Sequence, residues 1–186
     1  MKSYERRSVR EIYRNPWVGV EVHEIVHPNG VPGEHVLILT GRASAVIVAD
    51  EGDLLFARQP RFGAQTDVLE IVKGGADPGE SALECAKREL REELGIVAEE
   101  WEPLGQLYEL PSIIDTAVEL FLASDIYHVD AEPEAQESIE LVRVAAAVAF
   151  AAAASGKITD AVTVAALLRY GILRGLLTPS TADSSQ

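Results

Sequence analysis

A glycine-bounded segment in the middle of the chain constrains the fold more than any other feature. Asp77 is a good helix N-cap, Pro78 suits the first helical position, and Glu80 lies where a capping-box glutamate reaches back. Gly95 is a natural residue to end a helix, because glycine adopts a left-handed backbone at little cost. Between these signals, four apolar residues recur at helical spacing: Leu83, Ala86, Leu90 and Leu94. The segment therefore predicts an amphipathic helix over residues 78–94.

The predicted helix carries acidic residues beside its apolar stripe. Glu89 and Glu93 are four residues apart and stack on one face, which Glu92 borders. Like charges at this spacing destabilise an isolated helix by about 0.2–0.5 kcal/mol, and a hard divalent cation such as Mg²⁺ would remove that cost. Arg88 directly precedes Glu89 and is suited to orient a carboxylate by a bidentate bond. Three glutamates alone also fit a solvated helix face. The spacing of the residues around them distinguishes a metal site from such a face.

The wider spacing is G-x5-E-x7-R-E-U-x-E-E-x-G-U, where U is a bulky aliphatic residue, and residues 74–96 fill every fixed position. This pattern resembles the signature of the Nudix hydrolases. The resemblance implies an α+β fold, the Nudix α/β/α sandwich with a mixed sheet, in which a loop–helix–loop holds Mg²⁺ or Mn²⁺ against a diphosphate. Water then attacks one phosphorus of a nucleoside diphosphate that is linked to another group.

The resemblance also implies residue roles, position by position. Glu89 and Glu93 would be the main metal ligands, and Glu92 would be a further ligand or the base that activates water. The backbone carbonyl of Lys73 would be another ligand, and Arg88 would orient a glutamate.

Sequence outside the signature resembles the ADP-ribose diphosphatase branch of this family. Pro111 lies 16 residues after Gly95, and residues 158–163 resemble the start of the C-terminal helix of that branch. The branch usually has S-P-G followed by an acidic residue, whereas residues 110–115 read LPSIID and, together with KGGADPGE at 73–80, are closer to the ADP compounds hydrolases. The implied reaction is hydrolysis of ADP-ribose or a related ADP compound, such as a dinucleoside polyphosphate or NADH, to AMP and a phosphorylated product. A GDP-sugar, another nucleoside diphosphate compound or an RNA 5′ end as substrate, and a non-catalytic nucleotide sensor, are the alternatives.

Five residues outside the signature are candidates for the site. Arg58 and Arg61 belong to a run that resembles the R-Q-x-R strand end of the branch, and arginine forks match phosphate oxygens, although ordinary surface charge is the alternative. Glu70 matches the strand glutamate before the signature. Trp17 is able to stack on adenine, with a core or interface position as the alternative. Glu137, in an acidic loop, matches a glutamate that serves relatives as base or metal ligand; a solvated side chain is the alternative.

The rest of the chain predicts strands and two further helices. Alternating apolar and polar residues indicate a hairpin with strands at 17–26 and 34–39. Shorter apolar runs predict further strands at 45–49, 54–57, 68–72, 119–123 and 139–142. Helical segments are predicted at 144–154 and 159–177.

The first hairpin lacks an obvious local core, which bears on assembly. Relatives of the ADP-ribose diphosphatase branch are dimers whose N-terminal strands cross onto the partner, and packing on its own sheet is the alternative here. We therefore expect an N-terminal strand region used in dimerisation, a Nudix hydrolase domain and a flexible tail, at residues 1–42, 43–177 and 178–186. The implied assembly is a homodimer.

The charge balance disfavours several function classes. Sixteen Lys and Arg residues against 30 Asp and Glu residues give a net charge of −14, and so acidic a chain repels nucleic acid and anionic membranes. One cysteine excludes an internal disulfide. The start of the chain has no secretory signal pattern, and the longest apolar run, residues 144–154, is far shorter than the about 20 residues of a membrane helix. We expect a cytoplasmic protein that binds a small ADP-containing molecule, with neither nucleic acid nor membrane as a partner.

Overall fold

A computed structural model of the chain describes residues 3–131 and 138–177. In these residues the chain forms ten strands and three helices. The strands are β1 Glu5–Arg14, β2 Gly19–Val26, β3 Pro32–Leu39, β4 Ala43–Asp50, β5 Asp53–Arg61, β6 Thr66–Glu70, β7 Val72–Gly75, β8 Ile96–Tyr108, β9 Ala117–His128 and β10 Glu140–Ala145. The helices are α1 Ala82–Leu94, α2 Ala146–Ala154 and α3 Ala161–Leu173.

The strands form two separate sheets. One is antiparallel, has three strands and follows the order β1-β2-β3. The other has seven strands in the order β10-β5-β4-β9-β8, with β6 paired to β5 and β7 paired to β4. Its β4–β9 pair is parallel and its other pairs are antiparallel. The larger sheet is therefore mixed, as the sequence predicts.

Helices cover both faces of the seven-stranded sheet, because successive side chains of a strand point to opposite faces. Val46 and Val48 of β4 pack in one apolar cluster with Leu90 of α1. Ala45 and Ile47 of the same strand pack in a second cluster with residues of α2 and α3. Each face thus buries its own core. This α/β/α layering confirms the predicted fold class.

Strands β4 and β5 separate soon after the turn that joins them. Three residue pairs connect them, from Val48 with Leu55 to Asp50 with Asp53. Beyond these pairs β7 lies along β4 and β6 lies along β5. Ile71 stands between β6 and β7, where the chain passes from one partner strand to the other. The segment that leads into Gly74 therefore lies where the two strands have parted.

The sequence patterns predict neither β1 nor β8. Every residue of β1 is exposed, so its charged side chains produce no alternation of apolar and polar positions. Strand β8 contains Pro103 and Gly105, which are typical of turns, and its register with β9 shifts between them. Both strands are held by pairing with a neighbour, and that pairing leaves no local signal in the sequence.

The structure bears on some of the predicted segment boundaries and not on others. The boundary after residue 42 falls between β3 and β4, and the use of residues 1–42 in dimerisation stays a prediction. The predicted tail, residues 178–186, lies outside the described residues. Within residues 3–131 and 138–177, no helix combines the length and the hydropathy needed to cross a membrane.

Candidate active site

Helix α1 begins at Ala82, later than the predicted start at residue 78. Gly79 has a φ of +89°, a left-handed conformation that no α-helix contains, so the predicted early start is wrong. The true N-cap is Ser81, whose hydroxyl accepts the Glu84 N–H at 3.2 Å while the Glu84 carboxylate accepts the Ser81 N–H at 2.9 Å. This capping box lies four residues later than the predicted one.

The predicted contact between Asp77 and Glu80 nevertheless exists. The Glu80 carboxylate accepts the Asp77 N–H at 2.8 Å, which closes a turn ahead of the helix. At the other end, Gly95 caps α1 with a φ of +61°, as predicted. The segment is therefore the end of strand β7, a turn and then a helix. We name its residues 74–80 the glycine loop.

Gly74 allows the loop to lie directly against the acidic face of α1. A Cβ atom at Gly74 would stand 2.1 Å from the carboxyl carbon of Glu89, so a larger residue cannot fit without moving that carboxylate. The Cys85 thiol also reaches the Gly74 carbonyl, at 3.5 Å. From the other side, the Ser44 hydroxyl donates to the Ala82 carbonyl at 2.6 Å and ties β4 to the first turn of α1. The loop, β4 and α1 are thus fixed to one another around Gly74.

Arg88 is the centre of an ionic group that we name the Arg88 cluster: Arg88, Glu80, Glu89 and Glu92. Its guanidinium donates to Glu80 at 3.0 Å, to Glu89 at 2.8 Å and to Glu92 at 2.9 Å, and it also reaches the Gly75 carbonyl at 2.8 Å. The hydrogen bond to Glu80 is the largest cause of a raised Arg88 pKa, and the same bond lowers the pKa of Glu80. Arg88 therefore stands where the resemblance implies, in contact with the glutamates it would orient.

The three acidic residues implied as metal ligands lie together at the wall of one large cavity, of about 1330 Å³. They differ in depth. Glu93 is 7% exposed, whereas the side chains of Glu89 and Glu92 are 15% and 37% exposed. Lys73 and Gly74 line the same cavity. The structure thus brings the implied ligands Glu89, Glu92, Glu93 and Lys73 to one place.

The chemistry of this donor set fits a hard divalent cation. Carboxylate oxygens are the ligands that Mg²⁺ prefers, and the Gly75 carbonyl, which accepts from Arg88 at 2.8 Å, adds a backbone oxygen nearby. In the part of the chain that the structure describes, no three acidic, histidine or cysteine side chains converge as an ion would require. The guanidinium of Arg88 lies between Glu89 and Glu92 in this arrangement. A cation would therefore compete with Arg88 for these oxygens.

Behind the loop lies a second ionic group, the Lys73 cluster: Lys73, Glu70, Arg61, Asp160 and Thr163. Glu70 is 1% exposed and accepts from Arg61 Nε at 2.7 Å and from Lys73 Nζ at 2.9 Å. Lys73 Nζ also donates to Asp160. Glu70, predicted to bind substrate, is therefore bonded to two cations of the protein itself.

The charges of this cluster shift two pKa values. Burial on its own would lower the pKa of Lys73, but the hydrogen bonds and charges of Asp160 and Glu70 outweigh it and raise that pKa. Burial would likewise raise the pKa of Asp160, but the bonds from Lys73 and Thr163 lower it. Both groups are therefore held in their charged forms.

The structure separates the two arginines that the sequence groups together. Arg61 lines the large cavity, whereas Arg58 does not. Three positions apart on a strand, they point to opposite faces, and Arg58 pairs with Glu140 of β10 at 3.0 Å. The place of Arg58 on β5 directs it to the neighbouring strand, and its role in binding substrate stays a prediction.

Trp17 lies at the edge of the large cavity and is 74% exposed. The side chain of Asn15 accepts its backbone N–H at 2.9 Å and shapes the link between β1 and β2. So exposed a tryptophan is not a core residue, which leaves stacking on a ligand or an interface. Glu137 lies outside the described residues.

Two other segments also line the cavity, and no sequence pattern assigns them a role in the site: residues 39–42, and residues 115–117 with Glu119. They meet because the Ile38 N–H donates to the Ile113 carbonyl at 2.7 Å. Arg42 also accepts the Ala76 N–H through its carbonyl, at 2.9 Å. Residues so far apart in sequence give no spacing signal, so a single sequence does not reveal them. Asp160 was within a recognised pattern, at residues 158–163, but the pattern assigned it no role.

Comparisons with known proteins agree with this geometry. The NUDIX domain matches residues 39–164. The chain is 28% identical over 172 residues to the ADP-ribose pyrophosphatase of Bacillus subtilis (strain 168), covering 90% of this chain and 93% of that protein. It is 31% identical over 138 residues to the ADP compounds hydrolase NudE of Escherichia coli (strain K12), covering 73% and 74%.

Among solved structures, the crystal structure of an ADP compounds hydrolase superposes with a TM-score of 0.83 at 26% identity, covering 95% of this chain and 97% of that one. The family match spans more than half of the chain, from before β4 into α3. With the glycine loop and the acidic helix in the arrangement that the signature implies, these matches show that the protein belongs to the NUDIX family.

Proposed function

We propose that the protein hydrolyses the diphosphate bond of ADP-ribose or a related ADP compound, such as a dinucleoside polyphosphate or NADH, in a reaction that depends on Mg²⁺ or Mn²⁺. The products are AMP and a phosphorylated compound. One observation carries the proposal: Glu89, Glu92 and Glu93 share the wall of one cavity with the glycine loop. Relatives named ADP-ribose pyrophosphatase and ADP compounds hydrolase support the choice of substrate class.

The residues of α1 divide the work according to their depth. Glu89 and Glu93, the more buried pair, would hold the metal, and the Lys73 carbonyl would be a further ligand. A bound divalent cation neutralises diphosphate charge and activates water. Glu92 is the most exposed of the three, which suits a further ligand or a base that meets water. Arg88 orients Glu89 and Glu92, and Glu137 remains the second candidate for the base.

Two residues are proposed to contact the substrate away from the metal. The side chain of Arg61 is 40% exposed, and Glu70 fixes its guanidinium at 2.6 Å. A fork held on one side in this way presents its other donors to a phosphate oxygen at little entropic cost. Glu70 therefore supports binding through Arg61. Trp17, at the edge of the cavity, offers a flat apolar surface for adenine.

We also propose a homodimer built through the three-stranded sheet. Its first strand is exposed throughout, and large apolar side chains are exposed on it at Val9, Ile12 and Tyr13. An uncovered set of this kind favours association with a second copy. Sedimentation equilibrium should give twice the chain mass, and a monomer at micromolar concentration would remove this part of the proposal.

The remaining parts of the proposal rest on charge and cysteine content. A net charge of −14 disfavours nucleic acid and anionic membranes as partners. The single cysteine, buried against the loop, suits a cytoplasm in which thiols stay reduced. Intact carboxylates at the three α1 positions disfavour a sensor that binds nucleotide without cleaving it.

The test is a turnover panel with ADP-ribose, diadenosine triphosphate, NADH and GDP-mannose, in which products are identified by mass. We expect AMP from one or more ADP compounds in the presence of Mg²⁺, and no turnover after EDTA until Mg²⁺ is restored. Turnover of GDP-mannose alone would favour the GDP-sugar alternative. Nucleotide binding without any cleavage would favour the sensor, and full activity in EDTA would remove the metal from the mechanism.

A further inference from the structure

The break between β6 and β7 is held by a helix from the far end of the chain. At Ile71 the backbone N–H donates to the Thr163 hydroxyl at 3.0 Å, and both residues are fully buried. Thr163 is the third residue of α3 and its hydroxyl in turn donates to Asp160 at 2.7 Å. The Thr163 hydroxyl therefore gives and receives one hydrogen bond, which leaves it well satisfied in a buried place.

Asp160 connects this chain of hydrogen bonds to Lys73. One of its carboxylate oxygens accepts the N–H of Thr163 at 2.9 Å, as an N-cap does, and the other accepts from Lys73 Nζ. Lys73 Nζ also reaches Glu70, at 2.9 Å. Three positions in the run 70–73 are thus tied down by the start of α3 or by each other.

The same run continues into Gly74, whose opposite side is closed by the Glu89 carboxylate. A segment clamped on both sides has little freedom to shift, and a shift toward α1 is blocked by the contact at Gly74. The position of the Lys73 carbonyl relative to the acidic face of α1 is therefore set by bonds that come from α3. Helix capping alone would not need the bonds to Ile71 and Lys73.

We propose that Asp160 and Thr163 are positioning residues: by holding residues 70–73 they place the glycine loop against the α1 carboxylates and set how tightly that site binds a divalent cation. This inference rests on the proposed function, since it concerns the metal affinity of the same site. Thr163 holds the segment through the backbone N–H of Ile71, and Asp160 holds it through the side chain of Lys73. Partners that orient ligating groups in this way commonly change metal affinity about 10–100-fold when they are removed.

Four variants separate positioning from simple helix capping. Asp160→Asn keeps an oxygen for the Thr163 N–H but loses the charge that holds Lys73. Thr163→Val removes the hydroxyl with little change in volume, and Thr163→Ser restores it. Asp50→Asn is the matched control, because Asp50 also pairs with a cation, Arg143, but at the end of β4, whereas Gly74 pairs with the start of that strand.

The first readout is the Mn²⁺ affinity of the intact protein, measured by electron paramagnetic resonance of free Mn²⁺. The second is the Mg²⁺ concentration that gives a half-maximal turnover rate. We expect Mn²⁺ binding to weaken about tenfold or more in Asp160→Asn and Thr163→Val. Thr163→Ser and Asp50→Asn should match the wild type. The Mg²⁺ requirement should rise in the same two variants.

Wild-type Mn²⁺ affinity in both Asp160→Asn and Thr163→Val, with only the melting temperature lowered, would overturn the inference and leave a plain structural role. If Thr163→Val does not fold, Asp160→Asn decides alone against Asp50→Asn. A wild type that hydrolyses no compound of the panel would instead refute the proposed function. Active wild type with unchanged variants would refute only the positioning role.

Discussion

The Arg88 cluster and the Lys73 cluster hold the two sides of the glycine loop, and they are built in opposite ways. The Arg88 cluster draws its members from residues 80–92, within a single loop and helix. The Lys73 cluster joins residues from 61 to 163 and includes Glu70 and Thr163, which are fully buried. We infer that the first can exchange a guanidinium for a metal, while the second keeps its bonds and preserves the shape of the loop. A metal site of this kind needs one ionic cluster that rearranges when the metal binds and another that keeps its geometry.

The largest effect should come from the carboxylates beside the Arg88 cluster. Glu93→Gln keeps the size of the side chain but removes a ligand charge, so kcat should fall roughly 10³-fold or more. The fold should persist, which circular dichroism and thermal melting would verify. Glu99→Gln, an exposed glutamate just beyond the helix, is the control and should be fully active. A Glu93→Gln rate within about tenfold of wild type would reject the ligand role.

The contact between the loop and α1 should matter next. Gly74→Ala places a Cβ atom 2.1 Å from the Glu89 carboxyl carbon, and a displaced ligand of this kind typically costs about 10²-fold in rate. Gly75→Ala is the matched control, because the nearest atom to its Cβ would be the Arg42 carbonyl oxygen, at 4.0 Å. Steady-state kcat at saturating Mg²⁺ measures both. Equal rates in the two variants would show that the close approach at Gly74 does not position Glu89.

The Lys73 cluster should make the free energy of unfolding depend on pH. Asp160 has a pKa below its ordinary value of 3.8, so its contribution is fully present above that value and is lost as pH falls through the lowered, folded-state pKa. Lys73 has a pKa above its ordinary value of 10.5, so its contribution is fully present below that value and is lost as pH rises through the raised pKa.

We therefore expect Asp160→Asn to lower the free energy of unfolding by about 2 kcal/mol at neutral pH, the usual worth of a hydrogen bond to a charged group. The difference from wild type should stay constant near neutrality and shrink once pH falls below the ordinary pKa of Asp160. Urea unfolding in EDTA across pH measures it without metal. A difference that is unchanged in acid would mean that the Asp160 charge does not carry the effect.

The smallest effect should come from an ion pair outside both clusters. Asp50 pairs with Arg143, whose side chain is 40% exposed, and pairs this open to water contribute about 0–1 kcal/mol. Asp50→Asn should accordingly lower the free energy of unfolding by less than Asp160→Asn in the same urea experiment. A larger loss of stability than that of Asp160→Asn would show that the exposed pair of Asp50 stabilises the fold more than the more buried pair of Asp160.

The same contrast explains what the sequence predicts. Arg88, Glu89 and Glu93 lie within one helix, so fixed spacing places them before any tertiary contact is known. Asp160 joins Lys73 across 87 positions, and no spacing rule links two residues so far apart. The predicted start of α1 is wrong for a local reason: Gly79 adopts a left-handed backbone, so the helix begins later and Ser81 is its N-cap. The sequence run groups Arg58 with Arg61, whereas strand alternation turns the two side chains to opposite faces.

The early parting of β4 and β5 has a consequence for ligand recognition in general. In a strand with neighbours on both sides, the backbone N–H and C=O groups bond to those neighbours, which leaves few of them to bind a ligand. In the residues described, β6 and β7 each pair with one strand alone. Their facing edges do not pair with each other, so main-chain groups of the sheet would be able to contact a ligand there in addition to supporting the site.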